Sequence, residues 1–472
     1  MRRFSVFILL ILLLFSCAKE KQPNIVFILV DDLGWADVKC NYPESFYDTP
    51  NIDKLAQSGV RFTNAYSGNP VCSPTRAALM TGKHPNRVDI TDWIPGDDPK
   101  KRPLLGPQDR NELALEEITI AEKLKEKGYK TGFFGKWHLG SEGFYPEDQG
   151  FDVNIGGCEK GSPPGGYYSP YNNPKLTDGP DGEYLPDRLT NESIKFIHEN
   201  KENPFFLYLS FYTVHRPIEA ATKFIDKYEK KRAEQGLVDT LYVKEGDGWT
   251  KKTQENAIYA SMVAAMDDNV GKIIAALQEQ GLDKNTWIFF TSDNGGLTTL
   301  HDKVARTASG PLRAGKGWCY EGGIRVPLVI DGPEIGERGL VSNEPVISMD
   351  YFTTILNLAG VEHDDNDGED LLPLLKESHP LTRDELFWHY PHYHGSAWKP
   401  GSAIRKGEWK LIVHYEDNSS ELYNLNNDLG ETMNLALEYP QKVEELKIAL
   451  NEKLKETHAK FPQPNPDYIP RD

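Results

Sequence analysis

Ile25-Val26-Phe27-Ile28-Leu29-Val30-Asp31-Asp32 is the stretch that decides how this chain folds. Ile25 to Val30 is an unbroken apolar run, rich in β-branched residues and too short for a buried helix. With no polar alternation it reads as a strand covered on both faces, as in a parallel sheet packed between helices. Similar runs recur at Phe205 to Phe211, Thr286 to Thr291 and Val326 to Ile330. Helical patterns accompany them at Thr119 to Lys127, Leu189 to Glu199, Glu255 to Gln280 and Met349 to Ala359. This alternation predicts an α/β layered domain. In such sheets functional groups gather at the carboxyl ends of the strands.

Outward from that core the pattern changes twice. Gly156 to Pro186 is long, irregular and dense in Gly, Pro, Tyr and Asn, a composition expected of a loop bordering a site. After Leu381, short strands are expected at Glu385 to Tyr390, Ser402 to Arg405, Trp409 to His414 and Glu421 to Asn424, with a closing helix at Gln441 to His458. The expected organisation is a main domain over 24–380 and a small sheet-and-helix subdomain over 381–472.

The amino terminus reads as a targeting segment. Arg2 and Arg3 precede an apolar run, Val6 to Phe15, too short to span a bilayer. Leu14-Phe15-Ser16-Cys17 resembles a bacterial lipoprotein box, which implies cleavage after residue 16, lipidation of Cys17 and a tether over 17–23. The implied location is the cell envelope, periplasm or cell surface, with membrane contact only through the anchor. An ordinary cleaved signal peptide is the alternative.

The 472-residue chain is 39% hydrophobic and 26% charged, as expected of a globular protein. Its net charge of −18 argues against nucleic acid as a partner, because phosphate binding needs a basic face. Any anionic substrate would need a local cluster of cations or a bound metal. Of five cysteines, an odd and sparse set remains once Cys17 and Cys72 are set aside; Cys40, Cys158 and Cys319 allow at most one bridge.

Five constellations carry chemistry. The first strand runs into Asp31-Asp32, and the Thr286 to Thr291 strand runs into Ser292-Asp293-Asn294-Gly295-Gly296. Three carboxylates and an amide oxygen suit a hard cation, Ca²⁺ or Mg²⁺, and without one they would repel each other. Pro70-Val71-Cys72-Ser73-Pro74-Thr75-Arg76 leads into a helix, with Pro74 tolerated in its first turn. Cys72 thus lies at a helix N-terminus, where an anion is favoured, and Arg76 lies one turn on. Gly135-Lys136-Trp137-His138 follows a short apolar strand, and in an extended segment Lys136 and His138 would point the same way. His215-Arg216 follows the Phe205 to Phe211 strand, and Lys316 is flanked by Gly315 and Gly317.

Together, in this order, these motifs resemble the type I sulfatases of the alkaline phosphatase superfamily. The likeness runs from Asn24 to Leu422-Tyr423-Asn424-Leu425, and the Cys72 motif with Leu79-Met80-Thr81-Gly82 is its most specific part. It implies a large mixed sheet sandwiched by helices plus a small antiparallel subdomain. It also implies that a formylglycine-generating or sulfatase-maturing enzyme oxidises Cys72 to formylglycine, whose hydrate attacks sulfate esters. Asp31, Asp32, Asp293 and Asn294 would bind Ca²⁺ or Mg²⁺, with the modified Cys72 completing the shell. Arg76 and Lys136 would hold the formylglycine hydroxyls, with Asp293 a proton acceptor and His138 taking the second hydroxyl's proton. Lys316 and His215 would contact sulfate, one of them protonating the leaving alcohol.

An exported enzyme of this kind is expected to act on sulfated carbohydrate, a polysaccharide or oligosaccharide. Trp93, Tyr167, Tyr168, Trp388 and Trp398 are candidates to stack on sugar rings, and His301, Arg306, His392, His394 and Arg405 to read their substituents. Two other readings stay open at this point: a phosphonate or phosphodiester hydrolase of the same superfamily, and an unmodified relative that only captures sulfated glycans.

Overall fold

Eight strands form one sheet: β1 (Asn24–Val30), β2 (Val60–Phe62), β3 (Lys130–Gly135), β4 (Val153–Ile155), β5 (Phe205–Phe211), β6 (Thr286–Ser292), β7 (Leu328–Asp331) and β8 (Leu340–Ser342). They are described in a computed structural model that covers residues 22–96, 101–237 and 241–469. The leader expected at 1–16 and Cys17 lie outside the described residues. Across the sheet the order is β8-β2-β7-β6-β1-β5-β3-β4. Every pairing is parallel except the two made by β7.

The unbroken apolar run of β1 has a simple cause. Val26, Ile28 and Val30 face a core shared with α1 (Pro50–Ser58), α4 (Leu185–Asn200) and α5 (Ala257–Glu279). Here α2 is Cys72–Thr81 and α3 is Ile120–Glu126. Ile25, Phe27 and Leu29 face a second core with α2, α3 and α6 (Met349–Leu358). Both faces of the strand are covered, so both sets of alternating side chains must be apolar. The run at Val326 to Ile330 differs from the expected parallel type. Pro327 has no N–H to give a ladder, and the strand that starts at Leu328 runs against its neighbours.

The carboxyl-terminal region forms a meander of β9 (Glu385–Tyr390), β10 (Gly401–Lys406), β11 (Trp409–His414) and β12 (Ser420–Asn424). One face carries Ile404, Leu411 and Leu422 against Leu446, Leu450 and Leu454 of α7 (Pro440–Glu456). The other face carries Leu386, Trp388, Tyr390 and Ile412 against Tyr66, Val71 and Trp318 of the main domain. Strands β2, β4 and β8 escape sequence reading because three residues are too few to show a period. Among the described residues no helix is long and apolar enough to cross a membrane. Cys40, Cys72, Cys158 and Cys319 are all free.

Candidate active site

Asp31 and Asp32 leave β1 where Asp293 and Asn294 leave β6, because the two strands pair in register from Asn24 with Thr286 to Val30 with Ser292. Asp32 takes a left-handed conformation, φ 61°, which short polar side chains tolerate. Its N–H donates to Asp293 Oδ1 at 3.1 Å. All four side chains are buried. Oxygens of Asp31, Asp32 and Asp293 lie within 4.8 Å of one another, the one such group of potential metal ligands among the described residues.

Three cations answer the three carboxylates. Lys136 Nζ donates to Asp31 Oδ2 at 2.7 Å. Lys316 Nζ donates to Asp32 Oδ1 at 2.6 Å. Arg76 donates through Nε and Nη2 to Asp293 Oδ2 at 2.9 and 2.7 Å, and through Nη1 to Lys136 O and Ser210 Oγ at 2.8 Å. The charges of these six groups cancel. Two acceptors nevertheless have no hydrogen bond: Asp31 Oδ1 and Asn294 Oδ1. Orphaned buried oxygens are rare and call for a partner. An all-oxygen set with two free acceptors fits a hard divalent cation. Burial raises the Asp31 carboxyl above its usual range; Lys136 opposes this, and Asp293 and Asp32 add to it.

Cys72 opens α2, a helix whose ten residues are all buried, after an extended Val71. Its Sγ lies 3.3 Å from His138 Nδ1. His138 Nε2 lies 2.6 Å from Ile94 O. A carbonyl only accepts, so Nε2 carries the proton and Nδ1 turns a lone pair toward Cys72. Burial, then Lys136, hold His138 well below the ordinary histidine range, so the ring is neutral. Ser73 Oγ ties the arrangement together, donating to His138 O at 3.0 Å and accepting from Ile94 N at 3.1 Å. The extended geometry expected for Lys136 and His138 is corrected: His138 has φ 60°, in a turn that bonds to Cys158 O. Both side chains still reach the site, from a turn instead of a strand.

His215 Nδ1 lies 2.8 Å from Arg216 O, which makes Nδ1 the protonated nitrogen and leaves Nε2 free, 3.9 Å from Asp32 Oδ2. Burial and then Lys316 pull its pKa down to about 3. Burial works against charge on Lys316, but Asp32 together with Asp31 and Asp293 outweighs it and holds the ammonium above the usual lysine range. The Lys316 loop is tied to the segment before Cys72 by the Gly317 N–H, which donates to Pro70 O at 2.8 Å.

Part of this group reaches a cavity of about 640 Å³. Cys72, His138, His215 and Lys316 line it, together with Trp93, Glu112, Gly161, Tyr393 and His394. Gly161 passes so close to the His138 ring that a Cβ would meet its Cε1 at 2.5 Å. Of the Gly156 to Pro186 stretch only the start borders the cavity; Tyr167 and Tyr171 are core residues.

Several expected sugar contacts are corrected. Trp388 is fully buried and donates to Ser67 O, and Trp398 is buried with its N–H on Tyr390 O. His392 is buried against Thr91 Oγ1, and Arg405 is engaged with Tyr66 OH and Gly407 O. Tyr167 OH donates to Tyr212 O, and Tyr168 OH to Ala220 O. The rings of Trp388, Trp398 and Tyr167 are drawn into the cores and are not available to a sugar. Trp93 and His394 do line the cavity. Arg306 is exposed in a recess beside it with Asp32 and Arg216, and His301 is exposed nearby. Sequence reading missed Ser210, whose hydroxyl holds Arg76; a lone Ser late in the apolar β5 was the available signal.

Comparison with known proteins extends over nearly the whole chain. A family profile described as Sulfatase matches residues 23–361, and one described as N-sulphoglucosamine sulphohydrolase, C-terminal, matches residues 314–460. A protein named Sulfatase from Formosa agariphila is 31% identical, with 96% of this chain and 93% of its own length covered. N-acetylgalactosamine-6-sulfatase of Rattus norvegicus is 31% identical over 90% of this chain and 77% of its own. The crystal structure of Ps i-CgsB in complex with k-i-k-neocarrahexaose superposes with a TM-score of 0.74 at 27% identity, covering 95% of each chain.

Proposed function

The chain belongs to the sulfatase family, and we propose that it hydrolyses sulfate esters of carbohydrates with a nucleophile made from Cys72. The observation that carries this reading is Cys72 itself: a thiol at a buried helix N-terminus, 3.3 Å from a neutral His138, in the wall of a cavity that Lys316 and Arg216 also line. A thiol is a poor match to such surroundings. Oxidation of Cys72 to formylglycine by a maturing enzyme would supply a hydrated aldehyde there, a nucleophile with its own exit route. The Sγ atom stands in for the oxygens of that group.

Asp31, Asp32, Asp293 and Asn294 would hold Ca²⁺, or Mg²⁺, which supplies Lewis-acid polarisation of a sulfate oxygen. With a divalent cation the six charged groups would carry net positive charge, which an otherwise acidic protein needs to take an anion. Arg76 and Lys136 hold position through Asp293, Ser210 and Asp31 and stabilise negative charge developing above Cys72. His138 accepts a proton at Nδ1 from a hydroxyl at the Cys72 position. Asp293 is a weaker base than expected from sequence. Burial raises its carboxyl, but Arg76 and Lys136 outweigh that and hold it low, and both its oxygens already accept hydrogen bonds. Lys316 Nζ is the charged donor for the departing alcohol; a sulfate beside His215 would raise that ring's pKa and make Nε2 a second donor.

The sugar preference rests on two likenesses, to a structure solved in complex with k-i-k-neocarrahexaose and to an N-acetylgalactosamine-6-sulfatase. His394 in the cavity wall and Trp93 are the contacts retained. Export, with Cys17 lipidated, belongs to the same reading, and Cys17→Ala should shift the protein from the membrane to the soluble fraction.

The test is sulfate release from an aryl sulfate and a panel of sulfated sugars, using protein co-expressed with a maturing enzyme, alongside mass spectrometry of the Cys72 peptide. Formylglycine and sulfate release are expected together. A preference for the matching phosphate ester, or a thiol at Cys72 in protein from the native host, would overturn the reading.

A further inference from the structure

A β-hairpin of Tyr242–Glu245 and Gly248–Lys251 stands beside the cavity and is joined to it by backbone pairing. Thr299 and Leu300 pair with Thr250 and Trp249, and Leu300 is itself part of the cavity wall. Trp249, half-buried, holds two ammonium groups against its ring: Lys303 Nζ at 4.0 Å and Lys244 Nζ at 5.0 Å from the centroid. The hairpin's acids are taken by arginines, Glu245 by Arg313 and Asp247 by Arg102. Lys244 and Lys303 are exposed, and among the described residues neither has a carboxylate partner. His301 and Arg306 are exposed on the segment between Leu300 and the cavity recess, and Arg216 lies in the cavity wall. In a chain of net charge −18, the exposed cations Lys244, Lys303, Arg306 and Arg216, with Asp302 the one acid of the Thr299 to Arg306 segment, make a local excess of positive charge beside the cavity.

The geometry points to a second binding site on this hairpin, for a further sulfated unit of the same glycan chain whose reacting sulfate occupies the cavity. The site rests on the reading of the cavity as a sulfate-ester site. Lys244 and Lys303 take the distal sulfate, and the Trp249 ring holds the two ammonium groups in place as a pair. Continuity with the cavity through Leu300 and charge complementarity to a polyanion select this occupant over a neutral sugar or a basic protein. The enzyme would therefore work on chains bearing several sulfates and gain affinity with each charged unit that reaches the hairpin.

The experiment titrates dextran sulfate, with neutral dextran as the control, into Cys72→Ala protein and into the same protein carrying Lys244→Gln and Lys303→Gln. The parent is expected to bind dextran sulfate and not dextran, and the added substitutions to weaken binding roughly five- to tenfold at low salt, a loss that fades as salt screens it. Trp249→Phe, which keeps a ring for the cations, should retain most of the affinity. Equal binding by the parent and the double-lysine variant, or no binding by the parent, would overturn the site. Aryl sulfate turnover by the matured enzyme carrying the two lysine substitutions should be unchanged. If the matured enzyme shows no such turnover even with its lysines intact, the catalytic reading fails separately, whatever the titration shows.

Discussion

At the carboxyl ends of β1 and β6 three buried carboxylates meet three cations; between the main domain and the carboxyl-terminal sheet, Glu321 and Glu431 meet Lys410, Arg325 and Arg405. The residue types are alike and both clusters are buried. The interface cluster is closed. Lys410 Nζ lies 2.8 Å from both Glu321 Oε1 and Glu431 Oε1. Glu321 Oε2 accepts from Arg325 Nε at 2.7 Å and Tyr66 OH at 2.9 Å, and Glu431 Oε2 accepts from Glu321 N at 2.7 Å. Glu431 Oε1 has no aligned hydrogen bond, but the Lys410 ammonium sits beside it, so every carboxylate oxygen of this cluster has a donor or a cation within 2.9 Å. In the other cluster Asp31 Oδ1 lies 3.7 Å from Arg76 Nη2, neither it nor Asn294 Oδ1 has a hydrogen bond, and the group meets a cavity through Lys316. Buried charge alone does not mark a functional site; buried charge with a gap in its partners, facing a cavity, does.

Substitutions should separate the two clusters. Cys72→Ala, at the open cluster, is expected to cut sulfate release by at least about a thousandfold with no change in thermal midpoint. A drop in both would mean that the site also holds the fold. At the closed cluster, Lys410→Met strands two buried glutamates and should cost about 3–5 kcal/mol in chemical denaturation, while the folded fraction keeps its turnover of aryl sulfate. Loss of turnover ahead of stability would make the interface part of the machinery.

Calcium should act on one cluster only. At a hundredfold excess over its Kd it should stabilise the protein by about 2.7 kcal/mol, and Asp293→Asn should abolish that gain while Lys410→Met keeps it. A calcium response that survives Asp293→Asn would break the assignment of the gap.

The smallest effect is on pH. Burial, with Glu321 adding to it and Lys410 opposing, raises Glu431 from 4.5 to about 7. An acid whose folded pKa is raised binds its proton more tightly when folded, so its contribution to stability is full below about 4.5 and is lost as pH rises to about 7. Glu431→Gln should flatten that fall in unfolding free energy between those two values. A wild-type curve that rises through the same window would show Glu431 ionised in the fold.

The strands were legible because a strand covered on both faces has no polar residue to hide: Ile25 to Val30 and Phe205 to Phe211 are observed almost as read. The residues at their ends were legible for a related reason. Asp31, Asp32, Asp293 and Asn294 interrupt apolar runs, and nothing in the local pattern explains them. The aromatics were not legible. Trp388 sits in a cluster of His and Tyr that looks like a binding surface in sequence, yet alternation along β9 turns it into the core against Tyr66. Ser210 and the Trp249 hairpin carried no distinguishing local pattern.

The sequence alone determined the layered α/β architecture and the inventory of reactive groups, because period and composition are local properties of the chain. Tertiary structure decided which of those groups meet. The contacts that define the site join residues far apart in sequence: the parallel register of β1 and β6 brings Asp32 to Asn294, and the packing of α2 on the sheet brings Arg76 to Asp293. It also decided which oxygens of that group were left without a partner, and that remainder follows from the packing of every neighbour at once.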